Sequence, residues 1–144
     1  MTEALIWAPP DQDKGAAIKP TILIVEDSTT TAHLQAFVLK ARDLEVDTVH
    51  DGLEALERLQ QDPEKFDLLV ADLEMPKMDG LTLIRKLRQR EAFRDFPIII
   101  VTSMHDEESK REGLRAGANL YLIKPIQPET LVAHIKMLLG EVAE

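Results

Sequence analysis

The chain has 144 residues, with 17 basic against 26 acidic side chains, a formal charge of -9 and no cysteine. That length suits one folded unit around a single core; the acidic balance, with no stripe of Lys and Arg, argues against direct contact with nucleic acid, and the missing cysteines exclude disulfides and thiolate metal sites and suit a reducing compartment. MTEALIWAPP is too short and too acidic for a secretory signal, and no apolar run approaches the ~20 residues of a membrane span, so a cytoplasmic chain away from membranes is expected.

Residues 1–19 hold Pro9, Pro10 and Gly15 without sustained periodicity and read as a tail or linker that only Leu5, Ile6 and Trp7 could anchor. A domain over 20–140 follows, then a short tail, 141–144. Its first strand is the run ILIV at 22–25, which ends in the adjacent carboxylates Glu26 and Asp27. The hydroxyls at 28–31 open a helix, with Ser28 or a neighbour as cap. Leu44 to Val49 interleaves Glu45 and Asp47 with apolar residues, the pattern of an edge strand blunted by charge. Asp51 caps a helix on which Leu53, Leu56 and Leu59 recur; Asp79 caps another carrying Leu81, Ile84 and Leu87. Between these helices lie the strand DLLVA at 67–71 and a turn through Met75-Pro76 and Asp79-Gly80. The strand PIIIV at 97–101, a helix over about 106–116 and the strand LYLI at 120–123 come next. A last helix opens at Pro128, buries Leu131, Ile135 and Leu138, and stops near Gly140.

Five strand-then-helix repeats with near-continuous apolar runs imply an α/β domain, its parallel sheet covered on both faces and its crossovers right-handed. Periodicity leaves the strand order open. It does place Glu26, Asp27, Asp72, Thr102 and Lys124 at the carboxyl ends of strands, the edge where open parallel sheets build their sites. Three converging carboxylates would repel one another unless a hard cation sat among them, and Mg²⁺, which accepts one or two carboxylates and keeps several waters, suits them best. Lys124 adds a compact positive charge for a phosphoryl oxygen and Thr102 a hydroxyl donor. The set describes a metal-assisted phosphoryl site.

Glu26-Asp27, the Asp72 of VADLEMPKMDG, the Thr102-Ser103 of IIIVTSM and the Lys124-Pro125 of YLIKPI together resemble the receiver domain of two-component response regulators, over about residues 20–140. The resemblance implies a doubly wound, flavodoxin-like sheet of order 2-1-3-4-5. It also implies that Asp72 takes a phosphoryl group from a sensor histidine kinase or phosphotransfer protein. Glu26 and Asp27 would hold Mg²⁺ with Asp72 and the Glu74 backbone carbonyl, while Lys124 and Thr102 bind phosphoryl oxygens. Ser103 would leave the pocket open. Tyr121 would be a switch aromatic, moving inward when Thr102 engages the phosphate and altering the surface of the fourth and fifth helices, where an output domain, a partner or a second copy docks. Ile126 stands where many members have Phe, and Glu74 is at a position the family varies.

Other classes fit less well. A flavin-binding module of similar fold would place a cofactor phosphate at 28–31, but the carboxylates repel an anion and that loop has no glycine. A haloacid-dehalogenase-like phosphatase needs a second Asp two residues past the first, where this chain has Glu74, and a Thr where it has Pro76. A phosphorylation-independent module would lack an acid or the lysine, and none is missing. The expectation is a phosphoacceptor rather than a multiple-turnover enzyme. His33, His50, His105 and His134 show no ligand pairing and are expected at the surface or an edge.

Overall fold

A computed structural model describes residues 19–140; the stretch with Leu5, Ile6 and Trp7 and the tail at 141–144 lie outside the described residues. The described residues alternate β1 (Thr21–Val25), α1 (Thr29–Lys40), β2 (Glu45–Val49), α2 (Gly52–Gln61), β3 (Leu68–Ala71), α3 (Gly80–Arg88), β4 (Ile98–Thr102), α4 (Glu107–Ala116), β5 (Leu120–Ile123) and α5 (Pro128–Leu138), with a 3-10 turn at Glu91–Phe93. The five strands pair in parallel in the order β2-β1-β3-β4-β5. β1, β3 and β4 are buried along almost their whole length, which explains their near-continuous apolar sequences. Among the described residues, no helix is long and apolar enough to cross a membrane.

Short polar side chains start the helices where the sequence placed them. Ser28 Oγ accepts from Thr31 N–H at 3.3 Å, Asp51 Oδ1 from Glu54 N–H at 2.8 Å and Asp79 Oδ1 from Thr82 N–H at 2.8 Å. Asp106 does the same for α4 through Ser109 N–H at 3.0 Å. α5 has no side-chain cap and begins instead with Pro128, whose missing N–H needs no partner there. The sheet separates two apolar layers. One includes Leu59, Leu83, Ile84 and Leu87 from α2 and α3; the other includes Leu39, Leu131 and Ile135 from α1 and α5.

β2 is an edge strand, as its interleaved charges suggest. Asp47 receives Arg58 Nη2 at 2.7 Å and Lys65 Nζ at 2.9 Å. Burial pushes its carboxyl upward, but Lys65 and Arg58 outweigh that and hold it below the ordinary aspartate value. β5 departs from expectation. It is the other edge, and its last residue runs past the packed layers: Tyr121 is buried while Ile123, two residues on and on the same face, is 41% exposed. α2 departs too: Leu53 is 40% exposed and Ala55 takes the core position, because a stripe at i, i+3 drifts around a helix of 3.6 residues per turn. Leu138 is half-buried and α5 buries Val132 instead. His33, His50 and His105 are exposed, whereas His134 is half-buried with its Nδ1 enclosed.

Gly80, the first residue of α3, packs on the backbone of Asp72, the residue that follows β3. A Cβ there would lie 2.4 Å from the Asp72 carbonyl oxygen and 2.9 Å from Leu73 Cα. Alanine favours a helix by about 1 kcal/mol over glycine, yet forcing rigid backbone aside costs about 1–3 kcal/mol. Because both contacts are with backbone, the cost falls at the upper end of that range, and Gly80→Ala is expected to lose about 2 kcal/mol net in urea denaturation; a variant as stable as wild type would refute the close packing.

Candidate functional site

The parallel register brings the carboxyl ends of β1, β3, β4 and β5 to one edge. Glu26 and Asp72 follow β1 and β3 directly, and both are buried, with side chains 4% and 7% exposed. Buried carboxylates need partners, and Lys124, reaching in from the end of β5, supplies one. Its Nζ donates to Glu26 Oε1 and to Asp72 Oδ2, each at 2.8 Å. Burial pulls the lysine pKa down, but the hydrogen bonds and charges of Asp72 and Glu26 outweigh that and hold it above the ordinary value.

The remaining carboxylate oxygens are met by backbone. Ser28 N–H donates to Glu26 Oε2 at 3.1 Å and Glu74 N–H to Asp72 Oδ1 at 3.1 Å. Asp27 is exposed beside them, as is the side chain of Glu74. The expected three-carboxylate gathering is not preformed: among the described residues, no group of three or more His, Asp and Glu side chains is placed to hold a metal ion. The physical reason is that the Lys124 ammonium already neutralises the two buried acids. An Mg²⁺ ion asks less of a protein than a cage, taking one or two carboxylates and several waters. The oxygen-only donors of Asp72, Glu26, the adjacent Asp27 and the Glu74 carbonyl fit that chemistry.

Thr102 is fully buried at the end of β4, and its Oγ1 accepts a long 3.4 Å hydrogen bond from Met104 N–H. Tyr121 donates its hydroxyl to Met104 O at 2.7 Å. Thr102 and Tyr121 thus meet at the two faces of one residue's backbone. The Tyr121 ring already points inward, 9% exposed, in a slot left by Gly113, where a Cβ would come within 3.0 Å of Tyr121 Cδ2. Burial, then the charges of Asp106, Asp72 and Glu74, push the Tyr121 phenol upward. A 440 Å³ cavity opens beside Lys124, lined by exposed Ser103 and by Ile126 among others.

Two participants escape the sequence. Met104 acts through its backbone, on which side-chain type has no bearing. His50, one of four unremarkable histidines, places Nδ1 3.1 Å from Glu26 O. The signal for it lies in register: Val25 pairs with Val49 and Glu26 N–H donates to Val49 O at 3.0 Å, so the next residue on β2 falls beside the acids.

A family model described as the response regulator receiver domain matches residues 22–136. The phosphate regulon transcriptional regulatory protein PhoB of Rhizobium meliloti is 38% identical over 120 residues, covering 83% of this chain and 52% of that protein. A gliding motility regulatory protein of Myxococcus xanthus is 36% identical over 124 residues, 86% of this chain and 16% of that protein. The chain therefore spans about half, or much less, of the length of these curated relatives. Among solved structures, the chemotaxis response regulator CheY4 of Vibrio cholerae aligns with a TM-score of 0.78 at 31% identity, over 84% of this chain and 99% of that one.

Proposed function

The chain belongs to the response regulator receiver family, whose members are characteristically phosphorylated by histidine kinases, and from that premise we propose that its own acceptor is Asp72. The observation that carries this is the Lys124 ammonium held 2.8 Å from an Asp72 carboxylate at the carboxyl edge of the sheet. In the step itself, a carboxylate oxygen of Asp72 forms a P–O bond while the P–N bond of a phosphohistidine breaks and its electron pair leaves with the imidazole. Phosphoryl transfer needs positioning and charge neutralisation more than covalent help. Glu74 N–H and Lys124 orient the Asp72 carboxylate, and Lys124 and Thr102 face the incoming oxygens. Mg²⁺, generally bound by this family, would be held by Glu26, Asp27, Asp72 and the Glu74 carbonyl and would neutralise charge on the transferred group.

The immediate partner is then a sensor histidine kinase or phosphotransfer protein, in the cytoplasm in keeping with a chain free of cysteine. One phosphoryl group is trapped per chain. Turning Thr102 Oγ1 toward a phosphoryl oxygen would withdraw the acceptor from Met104 N–H, and Tyr121, bonded to the same residue's carbonyl, would feel the change. That couples the site to α4, β5 and α5, where an output domain or a second copy would dock. Thr102→Ala is expected to accept the phosphoryl group yet weaken the amide NMR response of those elements, a coupling of ~1–3 kcal/mol in the wild type; equal responses would sink this route.

Mg²⁺ is expected to raise stability by roughly 2.7 kcal/mol at a hundred times its dissociation constant. Thermal melts test this, with Asp27→Asn as the control: the variant should be no less stable without metal and should lose most of the Mg²⁺ response. An unchanged response would place the ion elsewhere. Incubation with a small phosphodonor then separates one equivalent consumed per chain from the many a phosphatase would hydrolyse.

A further inference from the structure

We propose that the corner His50-Asp51-Gly52, where β2 turns into α2, is a positioning element that sets the spacing between the two loops carrying the acids. His50 Nδ1 lies 3.1 Å from the backbone carbonyl of Glu26. A carbonyl can only accept, so the ring nitrogen is the donor and its tautomer follows. On the other side, Asp51 caps α2 with one carboxylate oxygen and places the other 3.8 Å from Lys77 Nζ in the loop after Asp72. Lys77 has φ 68, a left-handed conformation that a lysine does not choose unaided. Gly52 presses on the same loop: a Cβ there would lie 2.1 Å from Met78 O.

Three consecutive residues therefore grip both loops, His50 the one that bears Glu26 and Asp27, Asp51 and Gly52 the one that follows Asp72. A corner that merely started α2 would require only the cap at Asp51. The surplus contacts converge on the separation between the Glu26–Asp27 turn and the Asp72–Glu74 turn. Groups that orient a metal's ligands commonly change affinity by about 10–100-fold when removed. The inference rests on the reading that Glu26, Asp27 and Asp72 hold the cation.

The test is an Mg²⁺ titration of the whole chain followed by amide NMR shifts, with metal-free melting temperatures recorded alongside. His50→Leu is expected to weaken Mg²⁺ binding about tenfold, with the metal-free melting temperature reporting separately the cost of the lost hydrogen bond. His50→Asn, whose side-chain amide N–H can take the place of Nδ1–H, is expected to restore most of the affinity. Gly52→Ala, by displacing the loop at Met78, should also weaken binding; should it not fold, the His50 pair decides. Wild-type affinity in His50→Leu, or no recovery in His50→Asn, overturns the inference. Indistinguishable Mg²⁺ binding by wild type and Asp27→Asn overturns the cation reading itself and the inference with it.

Discussion

Asp72→Asn is expected to abolish the gain of one phosphoryl group that the wild-type chain should show in intact mass after incubation with a phosphodonor and Mg²⁺. The expected effect is complete because the step needs a carboxylate oxygen as nucleophile, and an amide at the same position offers no equivalent. Glu26, the other buried acid, is held in the same way, by Lys124 at 2.8 Å and Ser28 N–H at 3.1 Å, so the variant also tests whether the neighbouring strand end can accept the group instead. Since Asn keeps the shape of Asp and relieves repulsion with Glu26, the variant should fold normally. Equal mass gain in both proteins would remove Asp72 as the acceptor.

Lys124→Met is expected to destabilise the metal-free protein by about 2–3 kcal/mol at neutral pH, somewhat below the ~3–5 kcal/mol typical of breaking a buried ion pair. The discount follows from the opening at the site, where the Lys124 side chain is 23% exposed and water can reach what the ammonium leaves. Methionine keeps the apolar stem, so the loss reports charge rather than a cavity. Two rescues should distinguish this from general damage. Acidification protonates the orphaned carboxylates and should narrow the difference from wild type, and Mg²⁺ should narrow it at neutral pH. The wild type carries the opposite signature at high pH. Its lysine pKa is raised above the ordinary value of 10.5, so its contribution is fully present below that value and lost as pH rises through the folded one. The variant should lack that alkaline loss. Urea denaturation across pH, with and without Mg²⁺, checks all three; a variant as stable as wild type at neutral pH would show that the acids need no cation.

The identities of the elements and the residues at their ends were determined by the sequence alone. Apolar runs such as ILIV and PIIIV, cut by Asp51-Gly52 and Asp79-Gly80, report backbone conformation residue by residue, because turn chemistry and side-chain period are local properties. Parallel connectivity then carries every strand's end to one edge, so Glu26, Asp27, Asp72, Thr102 and Lys124 could be grouped before any coordinate was known. What each touches there was decided only in three dimensions. Lys124 meets Glu26 across 98 residues of chain and Asp72 across 52, a bridge between two buried carboxylates that no motif announces. His50 joins the site through the β1–β2 register, Tyr121 lies inward because Gly113 has no side chain, and β5 leaves Ile123 exposed because its last residue runs past the packed layers. Contacts of this kind depend on strand order, register and the reach of side chains from separate elements, and no local pattern contains them.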